Sequence, residues 1–177
     1  YPGGFDQRES QAFFGCREPY LPLASRPDVL VFQSEALAQD MEVTGPIIVK
    51  LQASSDCRDT DFTAKLTDVH PDGYSLNLCD GIIRARYREG FDTPRLIEPG
   101  KVYEFTIDLW PTSNVFLTGH RVRVDISYSS FPQYDVNPNT GAPLWSSGEI
   151  QIAYQAVYHD AGHPSRLVLP VIPADRE

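Results

Sequence analysis

The chain of 177 residues has the size of one domain, and with 41% hydrophobic and 22% charged residues it needs no disulfide or metal staple. A formal net charge of −9 works against a phosphate-backbone partner, which needs a basic stripe, and against an anionic membrane surface. Three cysteines, Cys16, Cys57 and Cys79, cannot all pair within one chain and lack C-x-x-C spacing, so they read as buried or half-buried thiols.

Residues 1–27 carry Tyr1, Phe5, Phe13, Phe14 and Tyr20 without alternation, an irregular aromatic arm that needs a surface to lie on. They open on Tyr1-Pro2-Gly3-Gly4 without an initiator Met or a signal peptide, as a piece of something longer would. From 28 to 173 a two-residue alternation of apolar and polar side chains dominates, the mark of strands with one buried side. Strands are predicted over 29–34, 46–53, 62–69 and 74–88, the last bent near Asp80-Gly81. The clearest alternation follows at 103–109, 121–128 and 150–158, and a final strand is predicted over 167–171. Turn signals separate them at Pro71-Asp72-Gly73, Pro99-Gly100 and Asn137-Pro138-Asn139-Thr140-Gly141. Single helical turns are expected at 34–39 and 112–118, and residues 174–177 form a tail.

About eight amphipathic antiparallel strands predict an all-β jelly-roll sandwich. The connections over 88–101 and 129–148 are too long for hairpins and are expected to cross between the sheets. The shared alternation puts Val124, Ile126, Phe105, Ile107, Leu51, Leu66 and Ile152 in one core. An immunoglobulin-like sandwich finds no Cys…Trp…Cys spacing to support it.

The search for chemistry returns little. Ser146 precedes Gly148 by two places, but Leu144 stands where a nucleophile elbow needs Gly, and no helix follows, so Ser146 reads as a polar loop residue. His159 and His163 have the spacing of two helical metal ligands, yet they follow a strand and precede Pro164, which favours hydrogen-bonded loop imidazoles. The carboxylates Asp56, Asp59 and Asp61 lack the glycine and closing Glu of a calcium loop, and Asp59 and Asp61 read as partners of local backbone N–H groups at a strand start. Arg84, Arg86 and Arg88 read as a solvated or salt-bridged sheet face, with contact to a partner domain as the alternative. No metal, cofactor, nucleic-acid or membrane partner is expected.

Several stretches, in order and spacing, carry a resemblance over nearly the whole chain. They are DQR (6–8), RPDVLVF (26–32), VTGPIIVKLQASSD (43–56), DTDFTAKLTDVHPDG (59–73), GIIRARYRE (81–89), PGKVYEFTIDL (99–109), TSNVF (112–116), GHRVRVDISYSSFP (119–132), YDVNPNTG (134–141) and VYHDAGHPSRLVLPVIP (157–173). Together they resemble the C-terminal domain of the CocE/NonD and X-Pro dipeptidyl-peptidase serine hydrolases, a family with cocaine esterase-like enzymes, α-amino-acid ester hydrolases and glutaryl cephalosporin acylases. Residues 9–25 depart from it, being longer than the family pattern. The resemblance implies a galactose-binding-like jelly roll packed on an α/β-hydrolase domain of the same parent chain. The Ser-Asp-His triad would lie in that domain, so no catalytic residue is carried over.

The expected function is that of a non-catalytic accessory domain which shapes the pocket wall of a hydrolase acting on ester or amide substrates. Phe13, Phe14, Phe131, Tyr134, Asn137 and Asn139 are the candidate interdomain residues, and contacts within a homo-oligomer are a further expectation. Such a chain is expected to be soluble, in a bacterial-type cytoplasm or exported. The rival is an independent carbohydrate- or ligand-binding module, with Trp110 and Trp145 as stacking platforms.

Overall fold

The computed structural model describes residues 26–143, 146 and 148–173. The aromatic arm up to residue 25, Trp145 and the tail lie outside the described residues. Two antiparallel sheets face each other. The first has the order β1-β6-β3-β4, built from β1 (Leu30–Gln33), β3 (Asp61–Val69), β4 (Ser75–Arg84) and β6 (Arg121–Ser127). The second is organised on the long β2 (Met41–Ser55), which pairs on one side with β5 (Tyr103–Phe116). On the other side β2 pairs in series with β7 (Gln155–Tyr158), β8 (Arg166–Val168) and β9 (Val171–Ile172). Nine strands thus stand among the described residues, and both long connections cross between sheets as the sequence predicts.

Alternation explains the core. Val43, Ile47, Val49 and Leu51 of β2 meet Phe62, Ala64 and Leu66 of β3, with Phe105, Ile107 and Leu109 of β5 and Val124 and Ile126 of β6. Phe62 and Phe105 lie 4.8 Å apart between ring centroids, a tilted pair joining the two sheets. The sheets also touch through backbone. A Cβ on Gly81 of β4 would sit 2.0 Å from the Asp108 carbonyl oxygen of β5, so only glycine permits this approach. β4 continues as strand through this glycine to Arg84. The register of its pairing with β3 shifts between Leu66 and Thr67.

Several expectations are corrected. No helical turn forms at 34–39, because Ser34 N and Leu37 N donate to the carbonyls of Val122 and His120 and so bind the chain alongside β6. Residues 112–116 continue β5 as strand instead of turning. Two β5 residues, Leu109 and Trp110, stand opposite the single Ile47, a bulge with Trp110 in the left-handed region at φ 70°. The bulge shifts the phase of the inward side chains, from the odd positions 105, 107 and 109 to the even position of Phe116, and so erases the alternation. The strand predicted over 74–88 ends at Arg84 and passes into a 3-10 turn, Ala85–Tyr87. The strand predicted over 167–171 is split into β8 and β9, with Leu169-Pro170 between them.

The largest correction concerns 150–158. Only Gln155–Tyr158 form a strand, and Ile150 and Ile152 are 76% exposed with Tyr154 at 75%. Ile152 therefore does not belong to the core. The polar side of β6 departs from a solvated face as well. Arg123 and Asp125 are buried and paired at 2.6 and 2.8 Å, with Lys65 of β3 in register opposite Asp125.

Candidate docking surface

Three loops meet at the end of the sandwich where β3 begins and β4 ends, and buried ion pairs fix them. Asp59 and Asp61 are both buried. Arg84 reaches Asp61 as a fork, with Nε to Oδ1 and Nη2 to Oδ2 each at 2.9 Å. The Arg86 Nε donates to Asp59 Oδ2 at 2.7 Å, and its backbone N–H donates to Oδ1 at 3.0 Å. The arginine row is thus salt-bridged, completed by Arg88 with Glu89 at 3.2 Å. The expected local backbone partners are not found: Asp59 accepts the N–H of Arg86, 27 residues on, and Asp61 binds side chains only.

The crossover after β6 is tied to this cluster. Buried Asn137 donates from Nδ2 to Asp61 Oδ1 at 2.7 Å and to Asp59 Oδ2 at 3.1 Å, while its Oδ1 accepts the Asn139 N–H at 2.9 Å. Asn139, at φ 64°, donates from Nδ2 to the Gln151 carbonyl at 2.9 Å, and Gln151 N–H returns to the Pro138 carbonyl. Arg86 Nη2 reaches the Ala142 carbonyl at 2.9 Å. Both asparagines therefore direct amide N–H groups to other parts of the domain, which ties the crossover to the start of β3 and to the segment before β7. What they present outward is the shape of the crossover.

Burial pushes the Asp61 carboxyl above the ordinary carboxylate value, against the opposing pull of Arg84 and then of the Asn137 amide. Asn137→Ala is accordingly expected to raise it further, which a carbon-detected NMR titration of the side-chain carboxyl in both proteins would read.

On this scaffold apolar side chains face outward. Phe131 is 46% exposed, Val136 is exposed and Tyr134 is half-buried. Beyond them the extended segment before β7 turns Ile150, Ile152 and Tyr154 to solvent, held by Tyr154 N–H to Asp56 Oδ1 at 2.8 Å and Asp56 N–H to the Tyr154 carbonyl. Sequence reasoning singled out Phe131 and Tyr134 but assigned Ile150 and Ile152 to the interior. Phe13 and Phe14 lie outside the described residues.

The residues weighed for chemistry are scattered. Ser146 is exposed and donates to the Pro143 carbonyl at 2.6 Å. His159 packs edge-on against Phe32, while His163 faces Tyr158 and Asp160, so the pair does not converge. Cys57 is buried and Cys79 half-buried, and burial pushes the Cys79 thiol up to about 11, the condition of an inert thiol. An apolar cavity of about 470 Å³ opens between the sheets, lined by Phe32, Met41, Val49, Leu51 and Leu167 among others. Trp110 does not line it. No helix among the described residues is long and apolar enough to cross a membrane.

Fold and loop end together define a β-sandwich with a partly apolar, ion-paired loop end. The chain belongs to the X-Pro dipeptidyl-peptidase C-terminal non-catalytic domain family, which matches residues 4–168, and it is an accessory domain of that kind. It is 49% identical over 85% of its length to a cocaine esterase of Rhodococcus sp. (strain MB1 Bresler), of which it covers 27%. Among solved structures, an α-amino acid ester hydrolase superposes with a TM-score of 0.79 at 38% identity, over 83% of this chain and 26% of that one. An aminopeptidase from a marine sediment Thaumarchaeota archaeon gives a TM-score of 0.83 at 32% identity, over 98% and 32%. The chain thus spans roughly a quarter of the length of the curated relatives it matches.

Proposed function

We propose that this domain packs on the α/β-hydrolase catalytic domain of a longer parent serine hydrolase and shapes its pocket wall. The parent would act on ester or amide substrates, of acyl or X-Pro dipeptidyl type. The docking surface is the loop end, with Phe131, Tyr134, Ile150, Ile152 and Tyr154, joined by Phe13 and Phe14 of the arm. The carrying observation is the Ile150–Ile152–Tyr154 row: an apolar alternation turned to solvent. Burying one such isoleucine against a partner contributes about 1.5–3 kcal/mol, enough for a few side chains to set the docking. Arg86 and Asn137 hold the surface in shape without touching the partner. Asn137 and Asn139 belong to this reading as supports.

A carbohydrate module would place aromatic platforms at a concave site. The cavity here is walled mainly by aliphatic side chains, and Trp110 stands apart from it. This favours the docking reading.

The test is Ile150→Ser with Ile152→Ser, in the parent enzyme and in the isolated chain. Ester or X-Pro hydrolysis by the parent should fall about tenfold or more, while the chain changes by less than about 0.5 kcal/mol, as for surface positions. Equal destabilisation of both would return these side chains to the domain's own core and refute the reading.

A further inference from the structure

We infer that Asp68, His70 and His120 form a site for one divalent first-row transition ion, zinc being the natural probe. The site clips the β3–β4 turn to the start of β6. Spacing along the sequence hides it, because Asp68 and His120 lie 52 residues apart. The fold joins them. Asp68 and His120 are both buried, with Asp68 Oδ1 2.8 Å from His120 Nδ1, and half-buried His70 stacks on His120 with ring centroids 4.4 Å apart. One ligand atom from each of the three lies within 4.8 Å of the other two, the one such trio among the described residues.

The donor set selects the ion. Two imidazoles and one carboxylate suit zinc, cobalt or nickel, whereas calcium and magnesium take oxygen ligands. Two imidazoles bound at a tetrahedral angle to one ion at about 2.1 Å hold their centroids about 5.2 Å apart, so the rings need to separate by less than an ångström from their 4.4 Å stack. The backbone holds the ligands in place. His70 N–H donates to the Tyr74 carbonyl at 2.8 Å, His120 N–H to that of Leu117 at 3.0 Å, and Leu37 N–H to the His120 carbonyl at 2.8 Å. An ion enters past the exposed turn of Pro71, Asp72 and Gly73. With His120 in the tautomer that carries its N–H on Nε2, the ion takes the place of the Asp68 Oδ1–His120 Nδ1 hydrogen bond, and it compensates the buried carboxylate.

The experiment titrates the metal-free 177-residue chain with Zn²⁺ by calorimetry and with Co²⁺ by visible absorption. The expected result is one ion per chain at micromolar concentration, with an unfolding temperature raised by Zn²⁺. His70→Phe keeps the ring stack but removes a ligand, and should weaken binding by about 30-fold or more and abolish the thermal shift. His163→Ala should leave both unchanged. If circular dichroism finds His70→Phe misfolded, His70→Gln serves in its place under the same criteria. No stoichiometric binding by the unmodified chain, unchanged affinity in the His70 variant, or equal loss in His163→Ala would each overturn the assignment.

Discussion

Replacing Arg86 by Met is expected to cost about 3–5 kcal/mol, because the Asp59 carboxylate would stay buried without its guanidinium. Both partners are nearly dry, with side-chain exposures of 8% and 0%. Asn137 remains as a donor to Asp59, but a neutral amide does not replace a charge, and the anchor to the Ala142 carbonyl goes with the arginine. For a chain of this size the unfolding temperature should drop by roughly 10 °C or more. Arg95→Ala is the control. Its partner Glu89 is as close, at 2.9 Å, but side-chain exposures of 63% and 48% leave that pair worth less than about 1 kcal/mol. Urea unfolding of the two variants decides the matter: similar midpoints would mean that burial of the Arg86 pair has been overvalued. The same loss should loosen the crossover that carries Phe131 and Tyr134, so activity of the parent should fall at temperatures where the fold survives.

Gly81→Ala is expected to destabilise by about 3 kcal/mol or more, the upper range for overpacking, because backbone stands in the way and no side chain can turn aside. A Cβ there meets Asp108 O at 2.0 Å, Asp108 C at 2.9 Å and Leu109 Cα at 3.3 Å. The two sheets must separate by about an ångström to admit it, which opens gaps around Phe62 and Phe105. Gly148→Ala, with nothing within 4 Å, should stay within about 0.5 kcal/mol of the parent sequence. Equal thermal midpoints for the two alanine variants would show that the sheets are not in backbone contact.

These two sites also mark how far the sequence could be read. Apolar–polar alternation marks a strand whether or not its polar side is wet, so β2, β3, β5 and β6 were legible in part from their side chains alone, although β3 is buried throughout and β6 buries Arg123 and Asp125. Alternation does not say what covers the apolar side. Ile150, Ile152 and Tyr154 carry the same pattern as Val122, Val124 and Ile126, yet they face solvent here. A row that faces solvent is written like a row that enters its own core. The bulge at Trp110 hid the second half of β5 by changing the phase of its inward positions. The polar cluster was beyond sequence reasoning for a different cause. Asp61 and Asn137 stand 76 residues apart, and only the sheet order brings the crossover back over the start of β3. The arginine row read as solvated or salt-bridged, and the choice between the two, with its partners and their burial, depends on that same topology.

The construction of β2's sheet has a bearing on solubility during folding. An uninterrupted sheet edge offers a row of free N–H and C=O groups on which a second chain can add as a strand. Here one edge strand is β5, kinked by its bulge and carrying Pro111, which has no N–H to give. The opposite edge is three short pieces, β7, β8 and β9, separated by segments that contain Pro164 and Pro170. The β7–β9 edge gives a neighbouring molecule only short runs of regular backbone, and the β5 edge is divided by its bulge at Leu109 and Trp110. These interruptions work against templated cross-β growth along this sheet while the outward apolar side chains stay exposed.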